Sequence, residues 1–460
     1  MNDNGRPGHS LSSDGLPGDR DVWRIAAPMI LSNVSVPLLG MVDTGVVGHL
    51  ESAVYIGAVA IGGTIFSFLY TGVNFLRMGT TGIAAQRFGA DDNDGLRTSL
   101  GQALIVALFI ATVAMLLQRP IAQLAMALLG AEGALQTNAL EYFFIRIWSA
   151  PGTLANFVMI GWFLGLQNAR VPLLIFLTIN LTNIVLDLVF VIGLGMKVDG
   201  VALASVIAEY CGLAVAMYFA GRELRRRSGH WPVSTFVKLR EYGAFFAINA
   251  NLFIRTMALI FTIAFVTAQG ARMGGLILAA NAILQQMQNL TAFGLDGFAH
   301  AAEALVGKAI GQKRREALEQ AVRLCLKWSL IFAGAFSAAY FVGGPLLINV
   351  LTDIPEVRET TLRYLPWMII SPLVSVWSFL YDGVYVGATR AREMRNIMVF
   401  SAFAVFLPAW YLLQFLGNDG LWLAFMLFLA SRGIGMHFGY RRYVLPEVLT
   451  EIKATPSRSD

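Results

Sequence analysis

The sequence predicts an all-α integral membrane protein, with about twelve transmembrane helices in two six-helix pseudo-symmetric lobes around a central cleft. Three observations predict it. The 460-residue chain is 56% hydrophobic and 14% charged, with a mean hydropathy of +0.62, against about 25% charged residues in a soluble domain. Its apolar residues come in blocks of about 20, the length that crosses a bilayer as a helix. Its glycines also repeat at one constant offset: Gly48, Gly89, Gly161 and Gly165 find partners, all equally far along the chain, in Gly270, Gly311, Gly383 and Gly387. Each pair lies at a similar place relative to an expected helix, so the chain reads as two six-helix halves. No polar stretch is long enough for a separate catalytic domain.

In chain order, residues 1–21 are rich in Gly, Ser, Asp and Pro and are expected to form a disordered cytoplasmic tail. They lack a cationic start followed by a short apolar core, so no removable signal peptide is expected. The spans fall roughly at 22–47, 52–78, 96–118, 137–165, 171–193 and 200–221, then at 238–268, 274–306, 317–342, 357–388, 395–416 and 419–440. The second and eighth continue as amphipathic extensions that end near Gly89 and Gly311. An N-lobe is thus expected over 22–221, a basic linker over 222–240, a C-lobe over 241–443 and a second cytoplasmic tail over 444–460.

Orientation follows the Lys/Arg bias. The even-numbered connections carry Arg87 and Arg97, Arg170, the cluster from Arg222 to Arg240, Lys308 to Arg315, Arg390 to Arg395, and Arg441 with Arg442. The odd-numbered ones carry mainly Arg119, Lys197, Arg272 and Arg358. Both termini are therefore placed in the cytoplasm. Both halves start on the same side, so the repeat axis runs along the membrane normal, the arrangement of an alternating-access transporter. Cys211 and Cys325 lie in apolar helices and are read as packing residues without a disulfide framework.

The polar groups inside the apolar helices carry the chemistry. Ile175–Ile192 holds Asn180, Asn183 and Asp187 at helical spacing, on one stripe. A carboxylate at mid-bilayer costs roughly 2.5–3.5 kcal/mol on insertion scales, so an acid there is rarely idle, a structural carboxylate bonded to helix neighbours being the alternative. The first helix holds a second one, Asp43, in VPLLGMVDTGVVG. Low dielectric disfavours a charged carboxyl, and a second carboxylate nearby does so further. Asp43 and Asp187 therefore read as a proton or cation site in the N-lobe, with Asn180, Asn183 and the hydroxyl of Ser205 as supporting ligands. Their repeat positions are Phe265 and Ala409, so any coupling through these acids belongs to one lobe. Pro28, about four helical turns before Asp43, frees a carbonyl and permits a bend, as does Pro37. In the second half Asp296, Glu303 and Asp382 are candidate cation or substrate contacts, with Arg255 available to neutralise one of them. For Asp296 a buried ion pair is the expectation. Arg77, Arg146 and Glu209 are expected to snorkel or to pair inside the bundle.

HExxH, phosphate-loop and nucleophile-elbow patterns are missing from the sequence, so neither an enzyme nor ATP-driven transport is expected. No cofactor, resident metal or nucleic-acid partner is expected either. The partners are small organic molecules and the lipid bilayer, and a monomer is expected.

The residues PMILSNVSVPLLGMVDTGVVGHL, RMGTTGIAAQRFGA, the run from Gly161 to Tyr210, LDGFAHAAEALVGKAIG and DGVYVGATRAREMRN together resemble the multidrug and toxic compound extrusion (MATE) transporters, in their DinF-like branch. The likeness extends from about Trp23 to Tyr443. It implies a V-shaped cleft between two lobes and antiport of organic, often cationic, drugs against H⁺ or Na⁺. It implies coupling at Asp43 and Asp187 with Asn183 and Ser205, Ser205 standing where many relatives have Thr, and bending at Pro28. The NorM-like branch pairs a seventh-helix acid with a tenth-helix Asp. Here Asp382 matches the second, but the seventh helix offers Arg255. The expectation is therefore a proton-coupled exporter of a bacterial inner membrane. A sodium-coupled exporter, with Na⁺ at Asp43, Asp187 and Asn183, and a flippase for a lipid-linked or amphipathic metabolite are the alternatives.

Overall fold

The computed structural model describes residues 16–47, 52–231 and 242–446, with side chains described for all of these except 36–44, 46–47 and 53. The described residues form helices and no strand. In the first half these are α1 (Asp19–Val47), α2 (Ala53–Val73), α3 (Phe75–Gly89), α4 (Asn93–Leu116), α5 (Gln118–Leu129), α6 (Gly133–Arg146), α7 (Ala150–Gly165), α8 (Arg170–Asp187) and α9 (Val198–Arg226). In the second half they are α10 (Gly243–Arg272), α11 (Gly275–Gly311), α12 (Arg315–Leu351), α13 (Pro355–Gly387), α14 (Ala391–Phe400), α15 (Leu407–Leu413) and α16 (Asn418–Gly439).

Several of these join end to end into longer spans. Among the described residues ten such runs are long and apolar enough to cross a membrane. The remaining two of the twelve expected spans are α1 and α11. In α11 the apolar run is diluted by Gln285, Gln286, Gln288 and Asn289 and by Asp296 and Glu303. The surface is inverted relative to a soluble protein: Phe68, Leu116, Val342 and Phe415 are among many large apolar side chains left exposed, where lipid would meet them. The one helix that the sequence reading treats as a connection is α5. It buries only Ala122 and Met126, and it ends on Gly130 at φ 63°, a left-handed cap that glycine adopts without strain. The amphipathic extensions end where expected, α3 at Gly89 and α11 at Gly311.

In the first half α3 packs on α7, α8 on α9, and α1 on α8. In the second α11 packs on α13, and α13 on α12 and α16. The lobes meet where α1 and α3 cross α11. The glycine repeat has a physical cause in this packing. A Cβ on Gly161 would lie 2.3 Å from the Arg77 carbonyl oxygen, and one on Gly383 would lie 2.2 Å from that of Ala299. Arg77 and Ala299 are themselves related by the repeat offset. Across the lobe boundary a Cβ on Gly89 would lie 2.1 Å from the Lys308 oxygen, and one on Gly311 2.0 Å from that of Gln86. Gln86 and Lys308 are again repeat partners, so each half makes the same contact on the other. The offset thus relates backbone contacts as well as residue types.

These crossings hold the lobes together at one end of the molecule, here termed the basic end because Arg87, Lys313, Arg390 and Arg442 line a recess of about 800 Å³ there. Gln86 Nε2 adds bonds to the Gly387 oxygen at 3.0 Å and to Thr389 Oγ1 at 3.3 Å.

Arg97, at the same end, is 4% exposed. It donates to the Leu224 and Arg227 carbonyl oxygens at 2.7 and 2.8 Å, capping the C-terminal turn of α9 with a cation. Arg97→Ala removes two charge-assisted hydrogen bonds from half-buried oxygens, each worth about 1.5–3 kcal/mol. A clear fall in the thermal unfolding midpoint of the purified protein is the expected result. Arg97→Lys should recover only part of it, because an ammonium lacks the fork that reaches two carbonyls.

Candidate functional site

The N-lobe stripe forms on α8. Asn180, Asn183 and Asp187 are 8%, 2% and 0% exposed. Asn180 Nδ2 donates to Ser35 Oγ of α1 at 2.8 Å, and Asn183 Nδ2 to Ser205 Oγ of α9 at 3.3 Å. One helix face thus ties three helices together through polar groups, and Asp187 is the last residue on it. Immediately after Asp187 the chain widens into a π-helical segment, Leu188–Gly193, a distortion that recurs at functional sites. Helix α1 also packs against this segment. Asp43 lies on α1, but its side chain, like that of Pro37, is outside the described residues. Pro28 lies inside α1, which runs unbroken from Asp19 to Val47. Ser32 Oγ donates to the Pro28 oxygen at 2.8 Å, and Ser35 Oγ to the Ser32 oxygen at 2.7 Å. The hydroxyl that receives Asn180 is therefore tied back, through Ser32, to the proline's own carbonyl.

The other face of α1 is committed to the C-lobe. Asn33 Nδ2 donates to the Phe293 oxygen of α11 at 3.2 Å. Gly297 sits so close that a Cβ there would meet Ile30 Cγ1 at 2.3 Å.

The acids of the second half gather around a cavity of about 230 Å³. Asp382 is 8% exposed and is held by two guanidinium groups, Arg255 and Arg432, the latter at 2.8 Å. Glu303 is 3% exposed and accepts from Arg77 Nη1 at 3.1 Å, with His300 Nδ1 3.3 Å from that Nη1 and 3.4 Å from the other Glu303 oxygen. Arg77 belongs to α3 and Glu303 to α11, so this pair spans the two lobes.

Asp296 lines the same cavity, half-buried, and among the described residues no group donates to it or pairs with it within 4.0 Å. The expected ion pair at Asp296 is thus corrected. The two pairs go to Glu303 and Asp382, whose neighbours on α3, α10 and α16 supply arginines, while Asp296 faces the cavity. Arg432 and His300 were missed as members of this site. An arginine in the apolar run LFLASRGIGM of the last span was the available signal for the first. Arg146 and Glu209 stay inside the N-lobe, where Asn156 Nδ2 donates to Glu209 at 3.0 Å and Arg146 lies over the Phe66 ring.

The chain resembles known proteins over most of its length. The family model described as MatE matches residues 28–189 and 250–412, two stretches whose starts differ by the same offset as the glycine pairs. The chain is 41% identical over 425 residues to the DNA damage-inducible protein F of Escherichia coli K12, covering 92% of each. It is 24% identical to a probable multidrug resistance protein NorM of Thermotoga maritima, over 76% of this chain and 77% of that one. Its fold matches a MATE crystal structure in the bent conformation with a TM-score of 0.83, at 20% identity, over 95% of this chain and 98% of that one. With two helical lobes related by one offset, buried acids between them and both halves matched by the same model, the chain belongs to the MatE family of multidrug and toxin extrusion transporters.

Proposed function

We propose that this transporter is a proton-coupled antiporter that exports organic, cationic or amphipathic compounds across a bacterial inner membrane by alternating access. Its termini and its basic end would face the cytoplasm. The observation that supports this most is the N-lobe stripe. A fully buried carboxylate, Asp187, ends a row of two amides that reach hydroxyls on α1 and α9. Such a group is costly when charged in an apolar bundle, so taking up or losing a proton changes the free energy of its surroundings. The stripe is bonded to α1, and α1 is bonded to α11. A change of charge at Asp43 and Asp187 would therefore be felt by Ser35 and then by the α1–α11 contact that joins the lobes. Pro28, which removes one backbone donor inside α1, lowers the cost of bending there.

Liposomes test this. With an acidic lumen and no sodium, the wild-type protein takes up a fluorescent cationic dye. Asp43→Asn and Asp187→Asn each lose uptake to the background of empty liposomes. Uptake by the two variants at the wild-type rate would remove these acids from the mechanism. Uptake that appears only with a sodium gradient would make Na⁺ the coupling ion, which a carboxylate with an amide and a hydroxyl can also hold.

A further inference from the structure

The cavity around the second-half acids, which Asn74, Arg77 and Met78 of the first half also line, has a charge layout of its own. Asp382 is shared by Arg255 and Arg432, two cations on one carboxylate, and among the described residues Nε of each arginine, like Oδ1 of Asp382, is buried without a hydrogen-bond partner. That side of the cavity therefore carries one positive charge in excess. Asp296, lining the same cavity and without an ion pair, supplies one negative charge in excess. The Arg77–Glu303 pair between them is neutral as a pair.

The pseudo-symmetry shows that these charges are an addition to the fold. The repeat partners of Asp296, Arg255, Asp382 and Arg432 in the first half are Asn74, Asn33, Ile160 and Tyr210, all neutral. Conversely, the acids of the first half map onto Phe265 and Ala409. Helix packing alone is satisfied by neutral residues at these places, so the charges of each lobe serve something that the other lobe does not do.

We infer that the cavity between α3, α10, α11, α13 and α16 is a substrate subsite for the polar head of a zwitterion, with Asp296 receiving its ammonium and Arg255 and Arg432 its sulfonate, phosphate or carboxylate. The inference rests on the reading of the protein as an exporter and names the substrate class. At about 230 Å³ the cavity is smaller than the roughly 300–1,000 Å³ of sites that enclose a drug-sized ligand. It therefore takes a head group. Leu259, Ile263 and Phe425 along its wall offer apolar surface to the part that follows. A plain cation would meet Asp296 and then the excess positive charge of the two arginines. A plain anion would meet the reverse. Only a ligand with both charges pairs with both without leaving one facing a like charge.

Equilibrium binding to the purified full-length protein, at near-neutral pH and without any gradient, tests this. Three dansyl probes with the same linker end in a trimethylammonium, a sulfobetaine or a sulfonate. The wild type should bind the sulfobetaine roughly tenfold or more tighter than either singly charged probe, because it alone makes a favourable charge contact at both ends of the cavity. Asp296→Asn should reduce sulfobetaine affinity to that of the sulfonate, and Arg255→Gln should reduce it to that of the trimethylammonium probe. Asp296 has no ion pair to lose, and Asp382 keeps Arg432 when Arg255 is changed, so both variants should fold. Ammonium binding as tight as sulfobetaine binding, an unchanged ranking in both variants, or no binding of any probe would overturn the subsite. This assay needs no coupling ion. Failure of gradient-driven flux with the ranking intact would therefore discredit the antiport reading and leave the subsite standing, and the reverse pattern would do the opposite.

Discussion

Arg77→Met should cost the protein about 3–5 kcal/mol, the usual penalty for removing one partner of a buried ion pair. The measurement is the thermal unfolding midpoint of purified protein, and the expected result is one of the largest single-residue falls in the molecule. Arg77 Nη1 lies 3.1 Å from a Glu303 oxygen, and the two side chains are 12% and 3% exposed. Without the guanidinium, the Glu303 carboxylate keeps only His300 as a partner among the described residues. Glu303→Met should be as damaging, because it strands a guanidinium beside His300. The double variant should regain at least half of the loss, since two apolar side chains of similar length leave no buried charge behind. If the double variant is no more stable than the singles, the pair is not the source of the effect. The same pair has a consequence for transport. It joins α3 of one lobe to α11 of the other, on the basic side of the cavity, so any motion that parts the lobes at that end must first separate these charges. The double variant should therefore fold well yet hold its lobes together less firmly at the basic end. Faster proteolysis or deuterium uptake there would show it.

How far the sequence announced this molecule depends on the kind of contact involved. The bundle, its two halves and the ends of α3 and α11 were legible because glycine is the only residue that lets helix backbones approach to these distances, and it therefore leaves a periodic trace. The stripe on α8 was legible because amides and an acid at helical spacing stand out in an apolar run. The ionic partners were not legible. Arg77 and Glu303 are 226 positions apart, and Arg255 and Asp382 are 127 apart. No local pattern says which arginine a given acid will meet. Asp296 shows the limit most clearly. It sits two turns from Glu303 on the same helix. Yet Glu303 is paired and Asp296 is not, because α3 brings an arginine to one and the cavity opens beside the other. The lobes also differ in charge in a way the repeat alone conceals, since the common offset places Asn74 on Asp296 and Ala409 on Asp187.

Two alanine substitutions at equally crowded glycines should have opposite characters, and comparing them tests the alternating-access reading directly. A Cβ on Gly383 would lie 2.2 Å from the Ala299 oxygen, and one on Gly311 would lie 2.0 Å from the Gln86 oxygen. Both neighbours are backbone atoms in helices, which cannot move aside as a flexible side chain can. The Gly383 contact lies within one lobe, between α13 and α11, and those helices form the core of that lobe. Gly383→Ala should therefore lower both the yield of folded protein and its melting temperature. The Gly311 contact lies between the lobes, where α11 crosses α3. Each lobe keeps its own packing if the two separate slightly, so Gly311→Ala should fold at nearly wild-type temperature. Its effect should instead fall on the lobe contact at the basic end, where the Gln86 bonds to Gly387 and Thr389 would stretch and weaken as the backbones part. Deuterium exchange resolves the two cases. In Gly311→Ala the amides of residues 84–92 and 305–313 should exchange several-fold faster, while those of α13 keep their protection. Gly89→Ala, the pseudo-symmetric contact on Lys308, should give the same pattern. If Gly311→Ala instead unfolds like Gly383→Ala, the lobes are one packed unit at that end, and the movement that carries substrate across would have to be sought inside a lobe rather than between the two.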